Sequence, residues 1–222
     1  MIGPRLIAAW ALRTQTGTVR VEGIEHVPRD GPVLLVARHY HHLLDGAVVI
    51  AHVRRPVHIV VGLDWTAGTR QRRWMERACR WARYPVILRP ATTGTRAGYA
   101  AHEVLRYVRS GLSDAANLLR DGRLVLVFPE GYPVIDPTAP QAAPRHPDGD
   151  GMLPFAAGFR TILTAAQRRG ARDVAVVPLG FRYERNGARW NVTARFGAPL
   201  AAPADVTQAE RAVRELSEPS RG

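Results

Sequence analysis

VLLVARHYHHLLDGAVVI, residues 33–50, consists of two apolar runs separated by a polar hinge. Residues 33–37 are apolar and mostly β-branched or Leu, without alternation, which is the pattern of a strand buried on both faces. The strand signal stops at Arg38-His39, and Asp45-Gly46 opens a second apolar run that reads as a helix. A histidine therefore stands at the tip of a buried strand, with a carboxylate six residues on. If the intervening loop folds back, Asp45 accepts a hydrogen bond from one imidazole nitrogen and leaves the other basic. A general base acting on a hydroxyl group needs that arrangement.

Outward from this stretch, residues 56–62 (PVHIVVG) read as another buried strand, so strand, helix and strand follow in the order of a parallel α/β sheet. Upstream, residues 18–22 alternate as a first strand. Downstream, residues 85–88 form a short strand ending at Arg89-Pro90, and residues 92–95 a loop. A helical stretch over residues 97–120 is expected to break near Gly111, and residues 123–128 (RLVLVF) form a strand ending at Pro129-Glu130-Gly131. Residues 132–153 are rich in Pro, Gly, Asp and His and have no period, as in a long surface loop or lid. An amphipathic helix over 155–169, strands over 174–181 and 190–196, and a closing helix over 204–216 complete the chain. No linker or repeat interrupts it, so a helical segment, residues 1–17, precedes one domain, residues 18–222.

The chain has 222 residues, 46% of them hydrophobic, which is enough for one large core. Its single cysteine, Cys79, allows no intramolecular disulfide and suits a reducing cytoplasm; no Cys/His spacing suggests a metal site, and no cofactor is implied. All 31 basic residues are Arg and the net charge is +12, so polyanions are the expected partners: nucleic acid, anionic lipid, an acidic carrier protein or a phosphorylated cofactor. Nucleic acid is disfavoured, because no recognition motif is present and the arginines are scattered. No apolar run reaches the ~20 residues of a membrane span.

Two segments carry tryptophan among arginines. Residues 4–13 place Leu6, Ile7, Trp10 and Ala11 on one helical face, either packed on the domain or lying at a membrane interface. Residues 65–83 place Trp74, Ala78 and Trp81 on one face, surrounded by Arg70, Arg72, Arg73, Arg77, Arg80 and Arg83 with only Glu76 between. Such a stripe reads first as core, with a membrane-surface role as its alternative.

Three strand ends carry polar residues: Arg38-His39, Arg89, and Pro129-Glu130-Gly131. Ligands of parallel α/β sheets sit at the carboxyl ends of the strands, so these residues can converge on one cleft. They supply a base (His39), its orienter (Asp45), a cation for an anionic substrate (Arg89), and a carboxylate (Glu130) to hold a hydroxyl or position that arginine. No Gly-x-Ser-x-Gly turn or phosphate-cradling loop occurs, and Cys79 lies in the basic helix. Direct attack by the substrate's own hydroxyl is then the economical mechanism.

His39 with Asp45, Arg89 after PVIL, FPEG at 128–131, FAAGF at 155–159 and VVPLGF at 176–181 together resemble the glycerolipid acyltransferases, the superfamily of the 1-acylglycerol-3-phosphate acyltransferases, over roughly residues 18–197. The resemblance implies a single-domain glycerol-3-phosphate acyltransferase-like fold, with a central, mostly parallel mixed sheet flanked by helices. It implies that His39 deprotonates an acceptor hydroxyl, which attacks the thioester of an acyl-CoA or acyl-carrier protein, while Asp45 orients His39. Arg89 matches the family's phosphate-binding arginine, Glu130 and Gly131 the Glu-Gly pair of the acceptor site, and Pro178 the proline of the last motif. The acceptor implied is a lysolipid, first of all 1-acylglycerol-3-phosphate, and the location is peripheral, on the cytoplasmic face of the membrane.

Two departures from the family pattern bear on the site. Five residues separate His39 from Asp45 where the family has four, and counting four back reaches Tyr40, which cannot be the base. His39, His41 and His42 all remain candidates; His39 alone directly follows the strand, His42 lies one turn before Asp45 as a partner for it, and His41 and His42 otherwise read as surface loop. The second departure is EGYP in place of Glu-Gly-Thr-Arg: Pro133 replaces an arginine, for which Arg145 or Arg160 are substitutes. This loss favours acyl transfer to another lysophospholipid, a glycolipid or an aminolipid. A non-catalytic protein binding anionic membranes on the same fold is the rival of another class.

Overall fold

A computed structural model of the chain describes residues 3–64, 69–89, 100–135 and 151–218. The elements follow in the order α1 (Pro4–Gln15), β1 (Thr16–Glu22), β2 (Val33–Ala37), α2 (Leu44–His52), β3 (Val57–Ile59), β4 (Val61–Gly62), α3 (Thr69–Ala82), β5 (Val86–Ile87), α4 (Ala101–Arg120), β6 (Leu124–Val127), α5 (Gly158–Arg168), β7 (Ala175–Asn186), β8 (Arg189–Phe196) and α6 (Val206–Ser217). The expected loop at 92–95, the start of the long helix, most of the candidate lid and Arg145 lie outside the described residues.

Six strands form one sheet in the order β1-β8-β7-β2-β6-β3. All neighbours are parallel except the β7–β8 hairpin, which turns at Gly187-Ala188 with Gly187 at φ +59. The central position of β2 explains its unbroken apolar run, because its residues point alternately into two packed layers. Val33, Leu35 and Ala37 meet Ala8, Ala11 and Leu12 of α1 and Leu44 and Val48 of α2. Leu34 and Val36 face α4, α5 and α6 through Ala115, Leu119, Phe159, Ile162 and Val213.

The run at 56–62, expected as one strand, is divided between two sheets. Its first half pairs with β6, and the Val60 N–H still donates to the Leu126 carbonyl at 2.9 Å. β6 then gives way to Phe128-Pro129, where proline has no N–H to continue a ladder, and Val61-Gly62 pairs instead with β5 in a two-stranded ribbon. The helix expected to begin at 155 begins at Gly158, because the Leu153 and Ala156 N–H groups are committed to Glu130 and to the Pro129 carbonyl.

α3 also differs from its first reading. Its inner face is Met75, Cys79 and Glu76, the last accepting a hydrogen bond from the Tyr107 hydroxyl of α4, while Trp74 and Trp81 are 68% and 45% exposed. The Trp stripe is therefore not core. Cys79 is buried, which pushes its thiol up to about 11 and leaves it unreactive.

α4 runs unbroken through Gly111, where a break was expected. A Cβ at this position would lie 2.4 Å from the Val86 carbonyl oxygen, so the glycine permits the helix to touch β5. Gly111→Ala is therefore expected to lower the thermal midpoint although alanine favours helix by about 1 kcal/mol; a raised midpoint in thermal unfolding would show that this contact is not limiting.

Candidate active site

β2 and β6 are parallel neighbours in register, Val36 opposite Val127, so the two chains leave the sheet side by side. His39 and Glu130 thereby meet although 91 residues separate them. The His39 ring stacks on Phe128 at 4.3 Å, and its backbone is held on both sides. Its N–H donates to Glu130 Oε1 at 2.7 Å, and its carbonyl accepts from the Val134 N–H at 2.9 Å.

Asp45, in the first turn of α2, is completely buried. Its Oδ2 accepts from His39 Nδ1 at 3.0 Å, from the Tyr40 N–H at 2.7 Å and from the His41 N–H at 2.9 Å; Oδ1 accepts from the Tyr183 hydroxyl at 2.5 Å. The longer His-to-Asp interval is thus absorbed by a loop that wraps the carboxylate and directs two backbone N–H groups at it. Its additional ring, Tyr40, stacks on Tyr183 at 4.5 Å. The contact with Asp45 places the His39 proton on Nδ1, and Nε2 has no hydrogen-bond partner among the described residues.

The neighbouring histidines have other roles. His41 is buried, not surface loop, and its Nδ1 accepts from the Leu43 and Leu44 N–H groups, capping the start of α2. Burial, and then the adjacent His42, lower it to about 4, so it stays neutral and keeps this acceptor. His42 is exposed, stacks on His41 at 4.7 Å, and is not among the donors to Asp45.

Arg89 reaches the site from the β4–β5 ribbon. Its Nε and Nη2 contact Asp64 Oδ2 at 2.7 and 2.5 Å, its Nη1 donates to the Gly131 carbonyl at 2.6 Å, and Tyr132 lies over the guanidinium at 3.5 Å. The carboxylate that positions Arg89 is therefore Asp64 and not Glu130. Asp64 Oδ1 is buried without a hydrogen-bond partner among the described residues. Gly131 closes a tight turn onto the Phe128 carbonyl with φ +75, a conformation that favours glycine.

Glu130 is a brace. Its second oxygen accepts from the Leu153 N–H at 3.0 Å, so one carboxylate ties the His39 loop to the segment leading into α5. Burial pushes its carboxyl up to about 7, against the opposing pull of these N–H groups. Pro178 stands within β7, opposite Val36, with its carbonyl bound by the Gly197 N–H; it shapes the sheet below the site. Arg160 is exposed on α5, where it lines a groove with Thr161, Thr164 and Arg168.

Tyr183, Asp64 and Tyr132 were not identified from the sequence. Asp64 follows a strand, as the recognised polar residues do, and that signal could have found it. Tyr183 sits two residues past the expected end of its strand, and only the hairpin with β8 carries it over Asp45. Burial, and then the Asp45 charge, raise its hydroxyl well above the usual tyrosine value, so it remains a neutral donor.

These shifts predict opposite effects of pH on stability. Between about 4.5 and 7 folded Glu130 retains a proton that the unfolded chain releases, so its contribution falls as pH rises through that window. Between about 6.5 and 4 the unfolded chain binds a proton that folded His41 does not, so its contribution falls as pH drops. Thermal midpoints at pH 5, 6 and 7.5 are expected to show wild type gaining on Glu130→Gln as pH falls, and losing to His41→Asn, which retains a capping acceptor.

Comparisons with known proteins bear on the fold and the family of the chain. Among proteins of curated function none matches the chain in sequence. The crystal structure of the 1-acyl-sn-glycerophosphate (LPA) acyltransferase PlsC from Thermotoga maritima superposes with a TM-score of 0.58 at 18% identity, covering 96% of this chain and 76% of that one. The likeness extends to the α/β fold with its mostly parallel mixed sheet. At the level of sequence families, Acyltransferase matches residues 18–182, more than half of the chain and including His39, Asp45, Arg89, Glu130 and Tyr132. The chain belongs to the acyltransferase family.

Proposed function

We propose that this protein is an O-acyltransferase that moves a fatty acyl group from an acyl-CoA or acyl-carrier-protein thioester to a lysoglycerolipid hydroxyl. The observation that carries the proposal is the His39–Asp45 contact: a buried carboxylate holds Nδ1–H and leaves Nε2 to act as base. In this mechanism Nε2 takes the acceptor's hydroxyl proton as the oxygen bonds to the thioester carbonyl carbon. The tetrahedral intermediate expels sulfur as the C–S bond breaks, and Nε2–H returns the proton to the thiolate. Asp45 stabilises the imidazolium between these steps, and no enzyme nucleophile is required.

The acceptor lies beside Arg89 and Gly131, and 1-acylglycerol-3-phosphate is the first acceptor to test, because the structural relative is named for it. A second reading is favoured by Arg89 itself. Asp64 neutralises it, Tyr132 covers it, and Pro133 supplies no second cation. Those features suit a hydroxyl-bearing headgroup, as in a glycolipid or a larger lysophospholipid, better than a phosphate dianion. The protein acts peripherally at the cytoplasmic membrane face, a setting supported by its net charge of +12. No helix among the described residues is long and apolar enough to cross a membrane. Residues 1–17 form a segment whose helix α1 packs Ala8, Ala11 and Leu12 inward and turns Leu6, Ile7 and Trp10 outward.

Thiol release from palmitoyl-CoA across a panel of lysolipids tests this function. Acceptor-dependent release is expected, reduced about a thousandfold in His39→Ala. Tyr183→Phe is expected to lower kcat roughly tenfold with little change in KM, because it removes a donor to Asp45 and touches no substrate. A His39→Ala protein with wild-type turnover would remove the assignment.

A further inference from the structure

The arginines and tryptophans of α3 are more ordered than their composition suggests. At about 100° per residue, Arg70, Arg73, Trp74, Arg77, Arg80 and Trp81 fall within an arc of about 120°. All six are exposed, while Met75 and Cys79 point the opposite way into the domain. The one acidic residue of the helix, Glu76, lies off the arc and is bonded to Tyr107 and paired with Arg72. The outward face therefore carries four cations, two indole rings and no carboxylate.

The position of α3 relates this face to the site. α3 connects β4 to β5, which pair in parallel, so it runs back against them and its first turn lies at the edge where those strands end. Asp64 follows β4 and Arg89 follows β5 at that edge. The end of α3 bearing Arg70, Arg73 and Trp74 thus flanks the place assigned to the acceptor.

We propose that this face of α3 docks on an anionic bilayer and holds the Asp64–Arg89 edge of the protein against the lipid surface; only the lipid nature of the acceptor rests on the acyltransferase reading. Indole rings favour the headgroup level, where they remove apolar surface from water and retain an N–H for hydrogen bonding. The arginines between them add electrostatic attraction to anionic headgroups, an interaction that weakens with salt. An acidic protein would satisfy the arginines, but two tryptophans spaced two turns apart on one convex helix suit insertion into a fluid interface better.

The test is co-sedimentation of the full chain with vesicles of phosphatidylcholine alone, or with about a third phosphatidylglycerol, at two salt concentrations. Wild type is expected to bind only the anionic vesicles, and less at high salt. Two double variants, Trp74→Ser with Trp81→Ser and Arg73→Gln with Arg77→Gln, are each expected to lose roughly tenfold or more in partition. Both retain turnover on a short-chain, water-soluble acceptor. Partition within twofold of wild type in both variants would overturn the proposal. So would loss of binding only on changing Leu6, Ile7 and Trp10 of α1, or variants that lose an acidic carrier protein and retain vesicles. A wild type that binds anionic vesicles but turns over no acceptor would refute the acyltransferase reading and leave the docking face standing.

Discussion

The carboxylate of Asp45 is the constraint on which the site depends. A completely buried charge costs several kcal/mol unless it is paired and hydrogen-bonded, and Asp45 meets that cost with four donors. One comes from the tip of the central strand, two from the loop backbone, and one from a strand nearly 140 residues further along the chain. The conformation of the loop, the bulge at Tyr40 and the overhang of β7 all follow from bringing these groups together. His39 gains its orientation as one member of that set.

The motif residues around this centre serve structure as much as recognition. Glu130 spends both oxygens on backbone N–H groups, and Arg89 is bound to Asp64, to a carbonyl and to the ring of Tyr132. Such bracing holds the His39 ring on its loop within the narrow tolerance that the proposed proton transfer requires. It also means that the charges at the site largely cancel one another. The excess of arginine lies on the outside, where α3 concentrates it beside two exposed tryptophans, and not at the centre of the site.

The sequence by itself determined the class of fold and the order of its elements, because a strand buried on both faces and amphipathic helices leave local periodic signals. It also put the pairing of His39 with Asp45 first among the candidates, since six residues and one loop are a short-range problem, but the exclusion of His41 and His42 came from the structure. Tertiary structure decided what depends on distant partners. The chain divides between two sheets at Val60 because Phe128-Pro129 follows β6, Gly111 stays helical because β5 lies against it, and His41 is a cap because two N–H groups need an acceptor. Trp74 and Trp81 face outward because Met75 and Cys79 meet the domain first. Tyr183 and Asp64 became site residues only through strand pairing and ion pairing across the chain, for which no local pattern exists.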